Sequence, residues 1–412
     1  MPMTSTSRPT AVTAVVPHPI QHFAPLYRAV GEGPVDLRVL FLSRAGLDRY
    51  FDRGFGAEVR WRPDITAGYR HEFVADLPLR PEWRQPVAST RAAGRVWTAL
   101  DRLRPDCVLV HGYRHVGSLA ALAWARRRGV GALMMGDSEL LGHRAARVRA
   151  AKRLALPPLL GRVDAFLTVG DNNEDYLAHY GVPRERMFRT PYPTEQAALH
   201  KAVTDRATHR AAVRAELGIA PDAVVALCVG KMISRKRPLD IADALRIVAR
   251  APRRPDTREL VVIMAGDGVL RPALDAAAAG LDGALRVVGF ADQERLPRLY
   301  AASDLYLHPA QRDPHPLAVK DAVLCGLPVV VSDRVGSIGP TDDVRPGRNA
   351  RIHPVGDVGA LAGILDELRR RPDLLAAMAL ESEKAVPDID LDASIDGFHR
   401  AVATVRRSAR PR

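Results

Sequence analysis

Ala223-Val224-Val225-Ala226-Leu227-Cys228-Val229-Gly230-Lys231-Met232-Ile233-Ser234-Arg235-Lys236-Arg237-Pro238 reads as a strand, a loop and the entry to a helix. The apolar run Ala223–Gly230 fits a strand of a covered parallel sheet. It ends in a glycine, where no side chain blocks a ligand. Lys231 and Lys236 then follow, five apart, on the loop. Two cations beside a strand end and a helix N-terminus suit a diphosphate. A solvated loop of surface bases has the same pattern, so the residues alone leave both readings open.

Outward from this stretch the same rhythm continues in both directions. Short apolar runs alternate with longer segments whose apolar residues recur at three and four, the alternation of parallel sheets covered by helices. Downstream strands are expected near Leu260–Ala265, Leu285–Val288, Leu305–His308, Val329–Ser332 and Ala350–His353. Upstream they are expected at Ala11–Val16, Leu37–Leu42, Cys107–His111, Ala132–Gly136 and Ala165–Val169, with helices at His22–Val30, Thr90–Leu103 and Ser118–Arg128. The stretch from Thr194 to Pro221 carries no strand signal and reads as linker plus a helical lead-in. At 412 residues the chain accommodates two domains. The fold class is α/β, two Rossmann-like doubly wound domains facing a central cleft. The expected boundaries are 1–195, 196–385 and a C-terminal helix over 386–412 that packs back on the first domain.

Composition narrows the functional classes. Hydrophobic residues make up 47% and charged residues 26%, which excludes a disordered or fibrous chain. No apolar run is long enough to span a bilayer, and the N-terminus lacks a signal-peptide pattern, so a cytoplasmic protein is expected. Cys107, Cys228 and Cys325 sit in or beside apolar stretches without metal-ligand spacing and read as reduced core residues. The net charge of +13 invites an anionic partner. Only six of the sixty basic residues are lysines, however, and arginine- and alanine-rich usage also marks high-GC coding. The excess lies in the first half, where residues 1–195 hold 28 basic and 19 acidic side chains.

Two further stretches end strands in polar loops. Met264-Ala265-Gly266-Asp267-Gly268 closes one strand in glycines; alone it is a turn signal. It is not G-x-G-x-x-G, and no P-loop is present, which disfavours a nicotinamide enzyme or an NTPase. In Asp313-Pro314-His315-Pro316-Leu317-Ala318-Val319-Lys320-Asp321 the two aspartates are eight apart. With the first just ahead of a helix and the second on it, both face one rim and can accept hydrogen bonds from sugar or ribose hydroxyls. A cap at Asp313 and a solvated Asp321 is the equally open alternative.

Taken in order, G-K-x4-K, A-G-D-G, V-G-F with L-Y-A-A-S-D, then D-x7-D before A-x3-G-L-P-V-V resemble the donor-binding domain of glycosyltransferase family 4, a retaining group with the GT-B fold. The resemblance runs from Val224 to Leu361 and includes N-A-R-I-H-P-V-G-D-V-G-A-L. It implies that Lys231 and Lys236 bind the diphosphate of a sugar nucleotide, beside Gly230, Gly266 and Asp267. It further implies that Asp321 meets the ribose and Asp313 the sugar hydroxyls. Asp313, Lys236 and Lys231 would then be the catalytic set. The family usually has glutamates where Asp313 and Asp321 stand, so the sugar or backbone must sit closer or a water must bridge. It also commonly has glycines flanking an aromatic where Pro314 and Pro316 stand. Proline has no N–H, leaving His315 and Leu317 as backbone donors to the ligand.

In the first half, Pro17-His18-Pro19-Ile20-Gln21-His22-Phe23 follows the opening strand and resembles a subset of the same family. On the acceptor side His18, Gln21, His22, His111, Asp137 and Glu139 are the candidates, with His115 beside them; capping or core duty is open for each. Many relatives place a histidine where Gly136 or Asp137 stands. Arg144, Arg147, Arg149, Lys152 and Arg153 precede the apolar Leu154–Leu160 and read either as a solvated face or as a contact for an anionic membrane surface. Asp388-Ile389-Asp390-Leu391-Asp392 imitates a metal-binding D-x-D but reads as acidity at a helix start.

The expected function is a metal-independent, retaining glycosyltransferase moving a sugar from a nucleotide-diphosphate sugar to a hydroxylated acceptor. No cofactor is expected beyond the sugar nucleotide as co-substrate. A small natural-product metabolite is the favoured acceptor, and a cell-envelope glycan or lipid-linked acceptor the second. A catalytically degenerate sugar-nucleotide-binding protein is the alternative from another class. Nucleic acid is disfavoured because no aromatic-plus-basic stacking motif occurs.

Overall fold

The computed structural model describes residues 8–47, 50–52, 57–59, 64–78, 84–142, 145–252 and 257–408. The chain begins with β1 (Thr10–Val16), α1 (Ala24–Gly31) and β2 (Val35–Phe41), then a small antiparallel hairpin, β3 (Tyr50–Asp52) and β4 (Ala57–Val59). Then come β5 (Arg70–Phe73), α2 (Pro86–Leu103), β6 (Cys107–His111), α3 (Val116–Arg128) and β7 (Gly131–Gly136). α4 (Ala146–Leu160), β8 (Ala165–Thr168), α5 (Asp171–His179) and β9 (Met187–Arg189) complete this half. Seven strands form one parallel sheet in the order β5-β2-β1-β6-β7-β8-β9.

The segment read as linker plus a helical lead-in holds two helices, α6 (Ala197–Thr204) and α7 (Arg206–Glu216). After them come β10 (Val224–Val229), α8 (Pro238–Arg250), β11 (Leu260–Ala265), α9 (Arg271–Ala279), β12 (Leu285–Gly289) and α10 (Arg295–Ala302). β13 (Leu305–His308), α11 (Leu317–Leu324), β14 (Val329–Ser332), β15 (Ala350–His353), α12 (Val358–Arg370) and α13 (Pro372–Ile389) follow. The second parallel sheet runs β12-β11-β10-β13-β14-β15. The fold is α/β with two Rossmann-like parallel sheets, as the alternating apolar runs predict. Each sheet is apolar on both faces because helices cover both, and four buried clusters, two per sheet, form the core.

The last helix, α14 (Leu391–Ser408), belongs to the first sheet. Its Phe398, Ala401, Val402 and Val405 pack in the same cluster as Val12 of β1 and Leu133 of β7. α13 stays with the second sheet up to Ile389, so the crossing back comes at Asp390, a few residues after 385. There Asp390 Oδ1 accepts the Ala393 N–H at 2.8 Å and starts α14, while Asp388 pairs with Arg345 at 2.7 Å. The acidic run is a helix start and an ion pair. Close approach makes the return tight: a Cβ added at Gly397 would lie 1.8 Å from the Arg189 carbonyl oxygen.

Side chains of the first half also bond directly to the second. Asn172 Nδ2 donates to the carbonyls of Gly336 and Ile338 at 2.9 and 2.8 Å. Asp171 accepts from the Thr341 N–H at 2.9 Å and gives its own N–H to Asp342 Oδ2 at 2.8 Å. Among the described residues no helix is long and apolar enough to cross a membrane.

Candidate functional site

Strand succession reverses between β10 and β13, which are neighbours in the sheet although β11 and β12 lie between them in the chain. Their following loops diverge, and such reversals open a crevice at the carboxyl ends of the strands. Lys236 arrives there on the loop after β10 and Asp313 on the loop after β13. The Lys236 ammonium pairs with Asp313 Oδ2. His308, the last residue of β13, bonds the same oxygen from Nε2 at 3.0 Å.

Burial alone would raise the Asp313 pKa. The hydrogen bond from His308 and the ammonium of Lys236 outweigh it and hold the carboxyl well below the ordinary carboxylate range. Burial also lowers the pKa of His308, against the upward pull of Asp313. Its imidazole is therefore neutral at physiological pH, and because an ionised carboxylate only accepts, the ring proton sits on Nε2.

Gly230, Lys231, Lys236 and His308 line one recess together with Cys228, Met232 and Met264. The Cys228 thiol is pushed up to about 12 by burial, so it is no nucleophile. Gly266 is required by close approach: at φ 144° its added Cβ would lie 1.9 Å from the Gly230 carbonyl oxygen. The neighbouring Asp267 builds the loop, accepting the Met232 N–H at its carbonyl (2.8 Å) and the Gly268 N–H at Oδ1 (2.7 Å). That is the turn reading of G-D-G, and it takes one carboxylate oxygen from a direct ligand role.

Asp313 does not cap α11; the residue before the helix is Pro316. Asp321 is not solvated either. Burial raises its carboxyl to about 7, and the Thr194 hydroxyl and Lys320 ammonium pull it back only in part. Leu317 is the first residue of α11, so its N–H has no acceptor within the helix. The His315 ring is buried against Asp343, Nε2 to Oδ2 3.2 Å, and edge-on to Tyr192, which leaves its backbone alone for a ligand.

Across from these groups lies the reversal of the first sheet, between β1 and β6. His18, Gln21 and His22 follow β1, and among the described residues the buried ring nitrogens His18 Nδ1 and His22 Nε2 have no hydrogen-bond partner. His22 is held at about 3, first by burial and then by His111, His315 and Lys320. His111, lowered to about 4 chiefly by burial, bonds the Tyr27 hydroxyl at 3.0 Å. This ties it to α1. Glu139 lies after β7. It is buried, and its Oε1 takes Arg312 Nε and Nη2 at 3.1 and 2.6 Å, joining the two halves beside the crevice. Asp137 is exposed and meets the Tyr192 hydroxyl, which burial and this carboxylate push well above its ordinary value.

His315, Asp342 and Asp343 offer three ligand atoms within 4.8 Å of one another. Asp342 Oδ2 already accepts from Asp171 and Oδ1 from the Asp343 N–H, and the buried Lys320 adds positive charge beside them. The Asp343 carboxylate raises His315 against the effect of burial, so the group is an ion pair at the junction of the halves. Sequence reasoning missed His308, Tyr192, Arg312 and Lys320. Only Lys320 carried a signal, as one of six lysines placed on an apolar helix.

Comparison with known proteins places this geometry. Residues 21–193 match the glycosyl transferase 4-like domain, and residues 223–370 match the glycosyl transferases group 1 model. Together the matches span more than three quarters of the chain. A D-inositol 3-phosphate glycosyltransferase of Nocardia farcinica is 34% identical over 203 residues, covering 46% of this chain and 43% of that protein. One from Rhodococcus jostii is 32% identical over 256 residues, 60% and 54% respectively. The chain thus matches about half the length of these curated relatives. In fold it is similar to Anabaena Alr3699/HepE, crystallised in complex with UDP, at a TM-score of 0.70 and 14% identity, covering 96% of this chain and 100% of the other. With both halves matched in order and the two sheets facing as in such structures, the chain belongs to the glycosyl transferases group 1 family.

Proposed function

We propose that the protein is a retaining glycosyltransferase that moves a sugar from a nucleotide-diphosphate sugar to a small polyhydroxylated acceptor. The observation that carries this reading is the meeting of Lys236 and Asp313 at the reversal point of the second sheet. Lys231 and Lys236 take the diphosphate, Asp313 the sugar hydroxyls and Asp321 the ribose. The acceptor hydroxyl attacks the anomeric carbon from the side of the leaving group. The bond from oxygen to the anomeric carbon forms as the bond to diphosphate breaks, and the hydroxyl proton passes to the departing diphosphate oxygen. The two lysines stabilise the charge that develops there, so no protein nucleophile or metal ion takes part. His18 and His22, neutral and with buried ring nitrogens lacking partners, face the acceptor. The curated relatives are named for a phosphorylated inositol acceptor, and a comparable polyol of natural-product metabolism, handled in the cytoplasm, is the favoured class here.

The test is a thermal-shift panel of UDP-, GDP-, dTDP- and ADP-glucose against wild type and Lys236→Ala. A ligand that binds only the native state raises its melting temperature. One nucleotide should stabilise wild type by several degrees and the variant far less, after which transfer to inositol and other polyols is assayed. Binding without transfer to any acceptor would support the degenerate binder, and no shift at millimolar ligand would sink the donor site.

α4 favours a second reading, a lipid-linked acceptor. Arg147, Arg149 and Arg153 are exposed on it, no acidic residue lies within it, and Leu154 is 81% exposed. Lys152 is drawn away from this face onto the hydroxyls of Tyr113 and Tyr176, at 3.3 and 2.9 Å. Arg144 lies outside the described residues. On this reading wild type sediments with phosphatidylglycerol vesicles but not phosphatidylcholine ones, and Arg147→Glu with Arg153→Glu abolishes it; equal recovery from both vesicle types would exclude it.

A further inference from the structure

Asp313 stands where a longer glutamate is usual, and its carboxylate is one methylene short of the reach that a glutamate has. Something must compensate if it is to meet a sugar. Both of its side-chain contacts, from Lys236 and from His308, fall on Oδ2. Oδ1 accepts neither. The backbone beneath it is anchored separately, since the Asp313 N–H reaches the Arg334 carbonyl at 3.3 Å and its own carbonyl accepts the Gly336 N–H at 2.8 Å.

The two partners of Oδ2 differ in what a donor would do to them. Lys236 lines the diphosphate recess and is the natural partner of an incoming phosphate. Its ammonium is therefore shared or withdrawn from Asp313 when the donor arrives. His308 cannot follow. It is part of β13 and buried, with its ring lying nearly parallel to that of Tyr306, 19° between planes at 6.3 Å. Tyr306 is pinned in turn, its hydroxyl bonded to the Val229 carbonyl at 3.2 Å. Arg235 is the other cation near the ring, and Asp313 the nearby carboxylate.

We propose that His308 is a positioning residue for donor-sugar recognition: it holds Oδ2 of the shortened Asp313 carboxylate when Lys236 turns to the diphosphate, so that Oδ1 remains aimed at the sugar hydroxyls. This rests on the donor site proposed above. It predicts a selective effect. The grip on the sugar depends on His308 more than the grip on the nucleoside diphosphate does, although the ring also borders the recess of Lys231 and Lys236.

The experiment compares the dissociation constants of UDP-glucose and UDP, or of whichever nucleotide pair the panel identifies, for wild type, His308→Leu and His308→Gln. Glutamine places an amide N–H near the Nε2 position; leucine fills the space without a donor. A hydrogen bond to a charged group corresponds to roughly tenfold or more in affinity. His308→Leu should weaken UDP-glucose by about tenfold or more and UDP by several-fold less, since the ring also borders the recess of Lys231 and Lys236, and His308→Gln should recover most of the loss. Equal weakening of both ligands, no change in either, or a glutamine variant no better than leucine would overturn the proposal. Should His308→Leu fail to fold, His308→Asn, whose amide falls short of the Nε2 position, replaces it in the comparison. Wild-type binding with an unchanged ratio in the variants removes this inference only. Failure of wild type to bind any member of the panel removes the donor site and the inference together.

Discussion

Lys236→Ala is expected to lower kcat/KM for sugar transfer by on the order of 10²–10³-fold while leaving the fold intact. The magnitude follows from the role: a fixed cation aimed at the charge developing on a leaving group is comparable to one donor of an oxyanion hole. The fold should survive because the side chain lies in a loop outside the four buried clusters, and Asp313 keeps its bond to His308 when the ammonium is removed. Lys236→Arg should not rescue, since a planar guanidinium cannot take the place of a compact ammonium in this recess. Steady-state kinetics with the stabilising donor, beside a thermal melt, checks both halves. A rate within about threefold of wild type would remove Lys236 from the mechanism.

Asp321→Asn should stabilise the protein at pH 8 and cripple donor binding. The folded carboxyl is raised to about 7 by burial, from an unfolded value of 3.8. Between these values the native state holds a proton that the unfolded state has lost, so wild-type stability falls as pH rises from about 4 to about 7. Each tenfold change in proton affinity corresponds to about 1.4 kcal/mol, so raising pH from 5 to 8 should cost wild type roughly 2–3 kcal/mol at this residue. Asparagine does not titrate and removes that loss. The gap between the variant and wild type should therefore widen with pH, read as urea midpoints at pH 5 and pH 8. Parallel pH profiles would show that Asp321 is not raised. On the proposed donor site the amide also replaces the carboxylate assigned to the ribose, so donor affinity should drop by about tenfold or more. A residue whose removal stabilises the fold and impairs the ligand site is one kept for function.

Much of the fold was readable from the chain alone. Runs such as Leu260–Ala265 and Val329–Ser332 are apolar throughout because parallel strands are covered on both faces, and that signature needs no partner to be recognised. The strands that escaped lie where this condition fails. β5 is Arg-His-Glu-Phe at a sheet edge, exposed over its first half. β9 is three residues at the other edge, half-buried throughout and polar at Arg189. The helices over 197–216 lacked a sharp signal because alanine, threonine and charge are shared by helix and linker.

The site divides along the same line. Lys231, Lys236 and Asp313 stand in the sequence on loops after recognisable strands and Asp321 on the helix that follows, where the residue types nominate them and the family resemblance, not the spacing, implies one ligand. Their state was not legible there. Lys236 and Asp313 are 77 residues apart and meet because β13 inserts beside β10 in the sheet. Glu139 is paired with Arg312, 173 positions away. His308 looked like the last residue of a strand, and Asp321 like an ordinary helix carboxylate. Local sequence determined the α/β alternation, the strand ends and the charges carried on their loops, because these depend on backbone propensity and periodicity. Only the tertiary structure decided which charges are paired, buried or left facing the cleft, because desolvation and partner distance arise when strands distant in the chain become neighbours in the sheet.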